Sequence, residues 1–127
     1  MPITVHIKGL EDVMSELRKA EPEAKRAVAN VLREKARAIK EDAKKRCPKD
    51  TGALSESIRY TVSRRTLTAA VHAGGKKVRD IDTYYAHFVE YGTKKMNARP
   101  FLIPAGRAHE DETLDALTDA LQKVLEG

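Results

Sequence analysis

The sequence predicts an α+β fold in one domain over residues 1–127: a small antiparallel sheet packed against one long amphipathic helix and a C-terminal helix. Three observations carry that expectation. Apolar and polar residues alternate in three short runs, the period of half-buried strands. They recur at three and four residues over positions 23–46 and again near the C-terminus, the period of helices. A length of 127 residues suits a single modest core and no internal boundary.

Ile3, Val5 and Ile7 alternate with Thr4, His6 and Lys8, and Gly9 ends this first strand. Leu10, Val13, Met14 and Leu17 predict a short helix, with Glu11 and Asp12 placed favourably in its first turn. Pro22 interrupts and restarts it, because proline fits a helix's first turn and not its interior. Over positions 23–46 one stripe carries Ala24, Ala27, Val28, Val31, Leu32, Ala36, Ile39 and Ala43. The other faces are dense in charge, Glu41 and Lys45 form an i,i+4 pair, and Lys44, Lys45 and Arg46 complement the helix dipole. A turn follows at positions 48–52, where Asp50 or Thr51 caps and Gly52 supplies backbone freedom, and a short helix runs through Leu54 toward Ile58.

Ile58, Tyr60 and Val62 alternate with Arg59, Thr61 and Ser63, and Leu67, Ala69 and Val71 with Thr66, Thr68 and Ala70. These predict two antiparallel strands joined near Arg64-Arg65. Positions 74–82 read as a polar, basic loop, either solvated or ordered by contact with a neighbour or with nucleic acid. Tyr85, Phe88 and Val89 at helical spacing, with Gly92 as the cap, predict a short buried helix over 84–91. Arg99-Pro100 is extended, since proline restricts the residue before it, and Pro104 opens a last helix carrying Ala105, Ala108, Leu114, Leu117, Leu121, Val124 and Leu125.

Charged residues make up 34% of the chain and aromatics 5%, so the core is lean and aliphatic, and subunit contacts are expected to add stability. Five of the six aromatics, Tyr84, Tyr85, Phe88, Tyr91 and Phe101, fall within positions 84–104, where they pack in the core or against a partner. The net charge of +5 is unevenly placed. Between positions 64 and 107 nine Lys/Arg face three acids, and between 110 and 127 six acids face one lysine. Such opposed regions suit head-to-tail contact between identical subunits, and also suit an ordinary solvated surface.

The residues exclude more chemistry than they propose. Cys47 is the only cysteine, so no internal disulfide or Cys-rich metal site is expected, and a reducing compartment fits best. His6, His72, His87 and His109 are scattered over separate elements without ligand spacing. Gly74-Gly75-Lys76-Lys77 lacks the Walker spacing. Asp50-Thr51-Gly52-Ala53 matches the short motif of dimeric aspartic proteases, but it leaves a Lys/Arg-rich helix end instead of a buried apolar strand, and a turn is the better account. No apolar run approaches the roughly 20 residues of a transmembrane helix, and no signal-peptide pattern is present. The expectation is a soluble, non-exported protein without enzymatic activity, cofactor or metal.

Three fragments in order, Pro48-Lys49-Asp50-Thr51-Gly52-Ala53-Leu54, then Tyr85-Ala86 with Val89-Glu90-Tyr91-Gly92-Thr93, then Ala98-Arg99-Pro100-Phe101-Leu102 with Pro104-Ala105, resemble a family of tailed-bacteriophage and prophage proteins. These are described as minor tail components, neck proteins or head-tail joining proteins. The resemblance covers nearly the whole chain. It implies a structural virion protein, assembled in the host cytoplasm, that forms a homo-oligomeric ring at the head-tail junction, joins or completes the tail and lets DNA pass. It also implies contact with neighbouring neck, connector and tail proteins.

Within that reading, Glu90, Tyr91, Thr93, Arg99, Pro100 and Phe101 are the subunit-interface candidates. Phe101 and Tyr91 act as aromatic anchors, in the core or in an adjacent subunit, and Glu90 and Arg99 pair locally or across the ring. Lys76, Lys77 and Arg79 are candidates for a loop facing the lumen or a partner, with DNA contact there. Of the two parts of the aromatic stretch, the helix is expected in the core and the Arg99-Pro100-Phe101 segment at the neighbouring subunit. The rival is a basic nucleic-acid-binding module, motivated by a sequence pI near 9.4, although no helix-turn-helix or zinc signature supports it and the acidic last helix would repel phosphate.

Overall fold

The computed structural model describes residues 2–7, 19, 22–48 and 52–126, with side chains as far as position 123. The short helix expected around Leu10–Leu17 and the Asp50 and Thr51 caps lie outside the described residues, as do the side chains of Val124 and Leu125. The elements are β1 (Ile3–Ile7), α1 (Pro22–Arg46), α2 (Ala53–Glu56), β2 (Arg59–Ser63), β3 (Thr68–Ala73), β4 (Lys77–Val78), β5 (Ile81–Asp82), α3 (Ala86–Tyr91), α4 (Leu102–Ala108) and α5 (Glu110–Glu126). The mixed α+β architecture is the one the periodicities imply.

β3 is the centre of a three-stranded antiparallel sheet of order β1-β3-β2. Its register sets Val71 between Val5 and Tyr60, and Ala69 between Ile7 and Val62. Because strand side chains alternate, this register collects every large apolar residue of the sheet on one face and leaves Thr4, His6, Arg59, Thr61 and His72 on the other. On that outer face His72 spans all three strands: its Nδ1 lies 2.9 Å from Thr4 Oγ1 and its Nε2 3.0 Å from Thr61 Oγ1. Burial, then the positive charges of Arg59 and His6, hold the His72 pKa below the ordinary 6.5.

The inner face is covered by α1, whose buried residues are Val28, Ala29, Leu32, Ala36, Ile39 and Ala43. The stripe is rotated slightly from the expected one: Ala29 is buried and Ala27 is exposed. Ala29, Ala36 and Ala43, seven residues apart, recur on one face, and their small side chains let the helix sit close on its neighbours. One core cluster joins Ala36, Ile39, Ala43, Leu54, Ile58, Val71, Phe101 and Leu102; a second joins Val28, Leu32, Leu67, Leu117 and Leu121. Pro22 does begin α1, as proline's fixed φ allows.

The C-terminal helix is broken where a continuous one is expected. α4 starts two residues before Pro104, and His109 (φ −105°) separates it from α5. At this joint His109 Nε2 lies 3.1 Å from Asp42 Oδ2 on α1 and its Nδ1 3.0 Å from Glu112 Oε1. Lys35 of α1 also reaches Glu112, at 3.3 Å, so the joint ties α5 to α1 through polar contacts beside the apolar ones. Burial raises the Asp42 pKa, but the hydrogen bond and charge of Arg46, 2.9 Å away, together with His109, outweigh it and leave the carboxyl below 3.8.

Candidate interaction surface

The segment between β3 and α4 opens on a tight backbone approach. Gly74 (φ +79°) follows β3, and a Cβ there would stand 2.4 Å from Ala86 Cβ and 2.7 Å from the Thr83 carbonyl. Only glycine lets α3 close onto the sheet at this point. Ser57, itself buried, accepts the Gly74 N–H through its hydroxyl oxygen at 2.9 Å and donates to Leu54 O at 2.6 Å.

Residues 77–82, expected as a polar loop, form a hairpin instead. Arg79 (φ 50°) and Asp80 (φ 64°) both take the left-handed conformation that a two-residue primed turn demands. Thr83 closes the base: its hydroxyl donates to Lys76 O at 2.5 Å, and its N–H donates to the same oxygen at 3.2 Å. The lumen-facing candidates Lys76, Lys77 and Arg79 are exposed on this hairpin, and Arg79 lies 3.4 Å from Glu56 of α2.

α3 turns Ala86 and Glu90 inward, one helical turn apart. Glu90 is 3% exposed, and its carboxylate accepts the N–H groups of Phe101 (3.2 Å), Leu102 (2.8 Å) and Ile103 (3.3 Å). These are donors at the start of α4 that have no partner within that helix. Glu90 is therefore a helix cap delivered from another element, and among the described residues the local pair with Arg99 does not form; the Arg99 backbone N–H donates to Val89 O, at 2.8 Å. Gly92 closes α3 with its N–H on Phe88 O at 2.8 Å and φ +79°, as the expected cap. Thr93 and Met96 then exchange backbone hydrogen bonds across a small loop.

Each part of the aromatic stretch is divided between core and surface: Ala86 is buried with Tyr85 and Val89 packed against the core, and Phe101 goes inside while Arg99 and Pro100 stay exposed. Phe101 is fully buried and anchors the core beside Leu102. On α3 and its flanks Tyr84 (58%), Phe88 (37%), Tyr91 (63%) and Met96 (41%) are exposed, and among the described residues these are the exposed large apolar side chains. The reason is geometric: with Ala86 and Glu90 facing the core, positions 84, 88 and 91, spaced by four and three, share the opposite face. Of the interface candidates, Tyr91, Thr93, Arg99 and Pro100 lie on the surface, whereas Glu90 and Phe101 act inside the subunit. The Lys94, Lys95 and Arg99 side chains, which follow α3 in the chain, are exposed as well. Phe88 and Met96 were not among the candidates drawn from the sequence, although the Ala86/Glu90 spacing could have assigned Phe88 to the outer face.

A separate cleft of about 210 Å³ lies between β1 and the two C-terminal helices, lined by Val5, Ile7, Ile39 and Ile103 with His6, Arg107 and Glu110 among its polar residues. Thr113 on its wall commits its hydroxyl to His109 O at 2.6 Å. The cleft is an apolar groove and brings together no nucleophile and base. Among the described residues no group of His, Cys, Asp and Glu side chains could hold a metal ion, and no helix is long and apolar enough to cross a membrane.

The surface is thus one exposed aromatic face with a basic margin, carried on a helix that is stapled to the core through Glu90. Neither the curated proteins nor the solved structures contain a match to this chain. A family match covers residues 11–92, about two thirds of the sequence, and takes in the strands β2 to β5 and all of α3. The chain belongs to the HK97-gp10-like family, described as "Bacteriophage HK97-gp10, putative tail-component".

Proposed function

We propose that this tail-component family member is a non-enzymatic virion protein of the head-tail junction, assembled in the host cytoplasm into a homo-oligomeric ring that joins or completes the tail and lets DNA pass. The observation that carries the reading is the exposed face of Tyr84, Phe88, Tyr91 and Met96. Large apolar side chains gathered on one exposed segment of a small chain mark a surface that is covered in use. Neighbouring neck, connector and tail proteins are the partners above and below such a ring. The exposed Lys76 and Lys77 on the β4–β5 hairpin are the basic groups available to DNA in its lumen.

The test is infection with a phage lacking this gene, read by electron microscopy and complemented in trans. Filled heads and tails that accumulate separately, and join when the protein is supplied, are the expected result. Normal virions without the protein would overturn the reading. Purified protein distinguishes a nucleic-acid-binding module: binding to DNA that falls steeply with salt, from a particle whose mass stays that of a monomer, would favour that rival.

A further inference from the structure

We infer that the exposed aromatic face of α3 is the docking surface for a second copy of this chain, which meets it with the acidic outer face of its own α5. The inference rests on the ring reading above and deepens it by naming both halves of the contact.

Charge selects the occupant. Lys94, Lys95 and Arg99 follow the aromatic face and are all exposed. α5 exposes Glu110, Asp111, Asp115 and Asp119 before its first basic residue, Lys123. Glu112 is spent inside the subunit on Lys35 and His109 and Glu110 borders the cleft beside β1, but Asp111, Asp115 and Asp119 form no ion pair among the described residues. A margin of cations around an apolar centre calls for a partner with an apolar centre and a margin of anions. α5 offers that centre too: between it and α1 an open hollow of about 530 Å³ is lined by Ala27, Val31, Ala116 and Ala120, with Asp119 and Lys123 at its rim. Small side chains there leave room for an aromatic ring from the neighbour. A nucleic-acid backbone would use the lysines, but it would leave Phe88 and Met96 in water and would be repelled by α5.

The two surfaces differ, so the contact is heterologous and propagates from copy to copy into a closed ring or an open helix. Neither surface needs to move to be used, since both are exposed on the folded chain.

The test measures self-association of the full chain by analytical ultracentrifugation over a concentration series, with circular dichroism confirming each variant's fold. Wild type is expected to associate, and three variants are expected to weaken association at least about tenfold: Phe88→Ser with Tyr91→Ser, Lys94→Glu with Lys95→Glu, and Asp115→Lys with Asp119→Lys. An equimolar mixture of the two charge-reversed proteins is expected to associate again, because each acidic patch then finds a basic α5 and each basic patch an acidic one. Charge-reversed proteins that associate like wild type, or a mixture no better than its components, would overturn this pairing of surfaces and leave the ring reading standing. Wild type that stays monomeric at every concentration would overturn both.

Discussion

Glu90 offers the sharpest link from a single residue to the fold. Its carboxylate accepts three backbone N–H groups at the start of α4, and the bonds to Phe101 and Leu102 are fully buried. Glu90→Ala removes all three at once and leaves the buried Phe101 and Leu102 donors, and the half-buried Ile103 donor, without their acceptor. At about 1–1.5 kcal/mol per unsatisfied amide, the expected loss is about 3–4 kcal/mol, a large share of the 5–15 kcal/mol that holds a typical domain. For a chain of this size that corresponds to a midpoint lower by about 10–15 °C in a thermal melt followed by circular dichroism. Glu90→Gln should cost less, about 1–2 kcal/mol, because the amide oxygen still serves two donors while its NH₂ faces the third. Amide hydrogen exchange should show Phe101, Leu102 and Ile103 losing protection ahead of β3. A Glu90→Ala midpoint within about 3 °C of wild type would refute the capping role.

Three further outcomes follow from the geometry. Gly74→Ala places a Cβ 2.4 Å from Ala86 at φ +79°, and should lower stability by about 2 kcal/mol or more in urea unfolding and loosen α3. His72 binds its proton less readily folded than unfolded, so its contribution to stability is present above pH 6.5 and lost as pH falls through its lowered pKa; His72→Gln should flatten the dependence of melting temperature on pH in that range. Asp42 is shifted below 3.8, so its contribution persists above that value and is lost as pH falls further; Asp42→Asn should remove part of the acid-induced loss of stability measured by denaturant titration between pH 5 and pH 2 in about the range that carboxylates titrate.

The strands β2 and β3 were legible because each residue's face follows from its parity, whatever the partner strand. α1 was legible for the same reason in period 3.6, down to a rotation of one or two positions. The hairpin of residues 77–82 was not: Arg79 and Asp80 are poor advertisements for a primed turn, and what holds it is Thr83 reaching back to Lys76, a contact between residues seven apart. The break at His109 was hidden because apolar spacing continues across it, while the cause, Asp42 on α1, lies 67 residues away.

The sequence by itself determined the α+β class, the family resemblance, the opposition of a basic middle and an acidic end, and the importance of positions 84–104, because each depends on local order along the chain. Which aromatic faces the core and which faces outward was decided only by the tertiary structure. A six-residue helix has too few turns for its periodicity to choose a face, and the choice falls to Glu90: its buried carboxylate must meet the amides of Phe101, Leu102 and Ile103. That contact turns Ala86 inward, draws Phe101 into the core, and leaves Tyr84, Phe88 and Tyr91 on the surface.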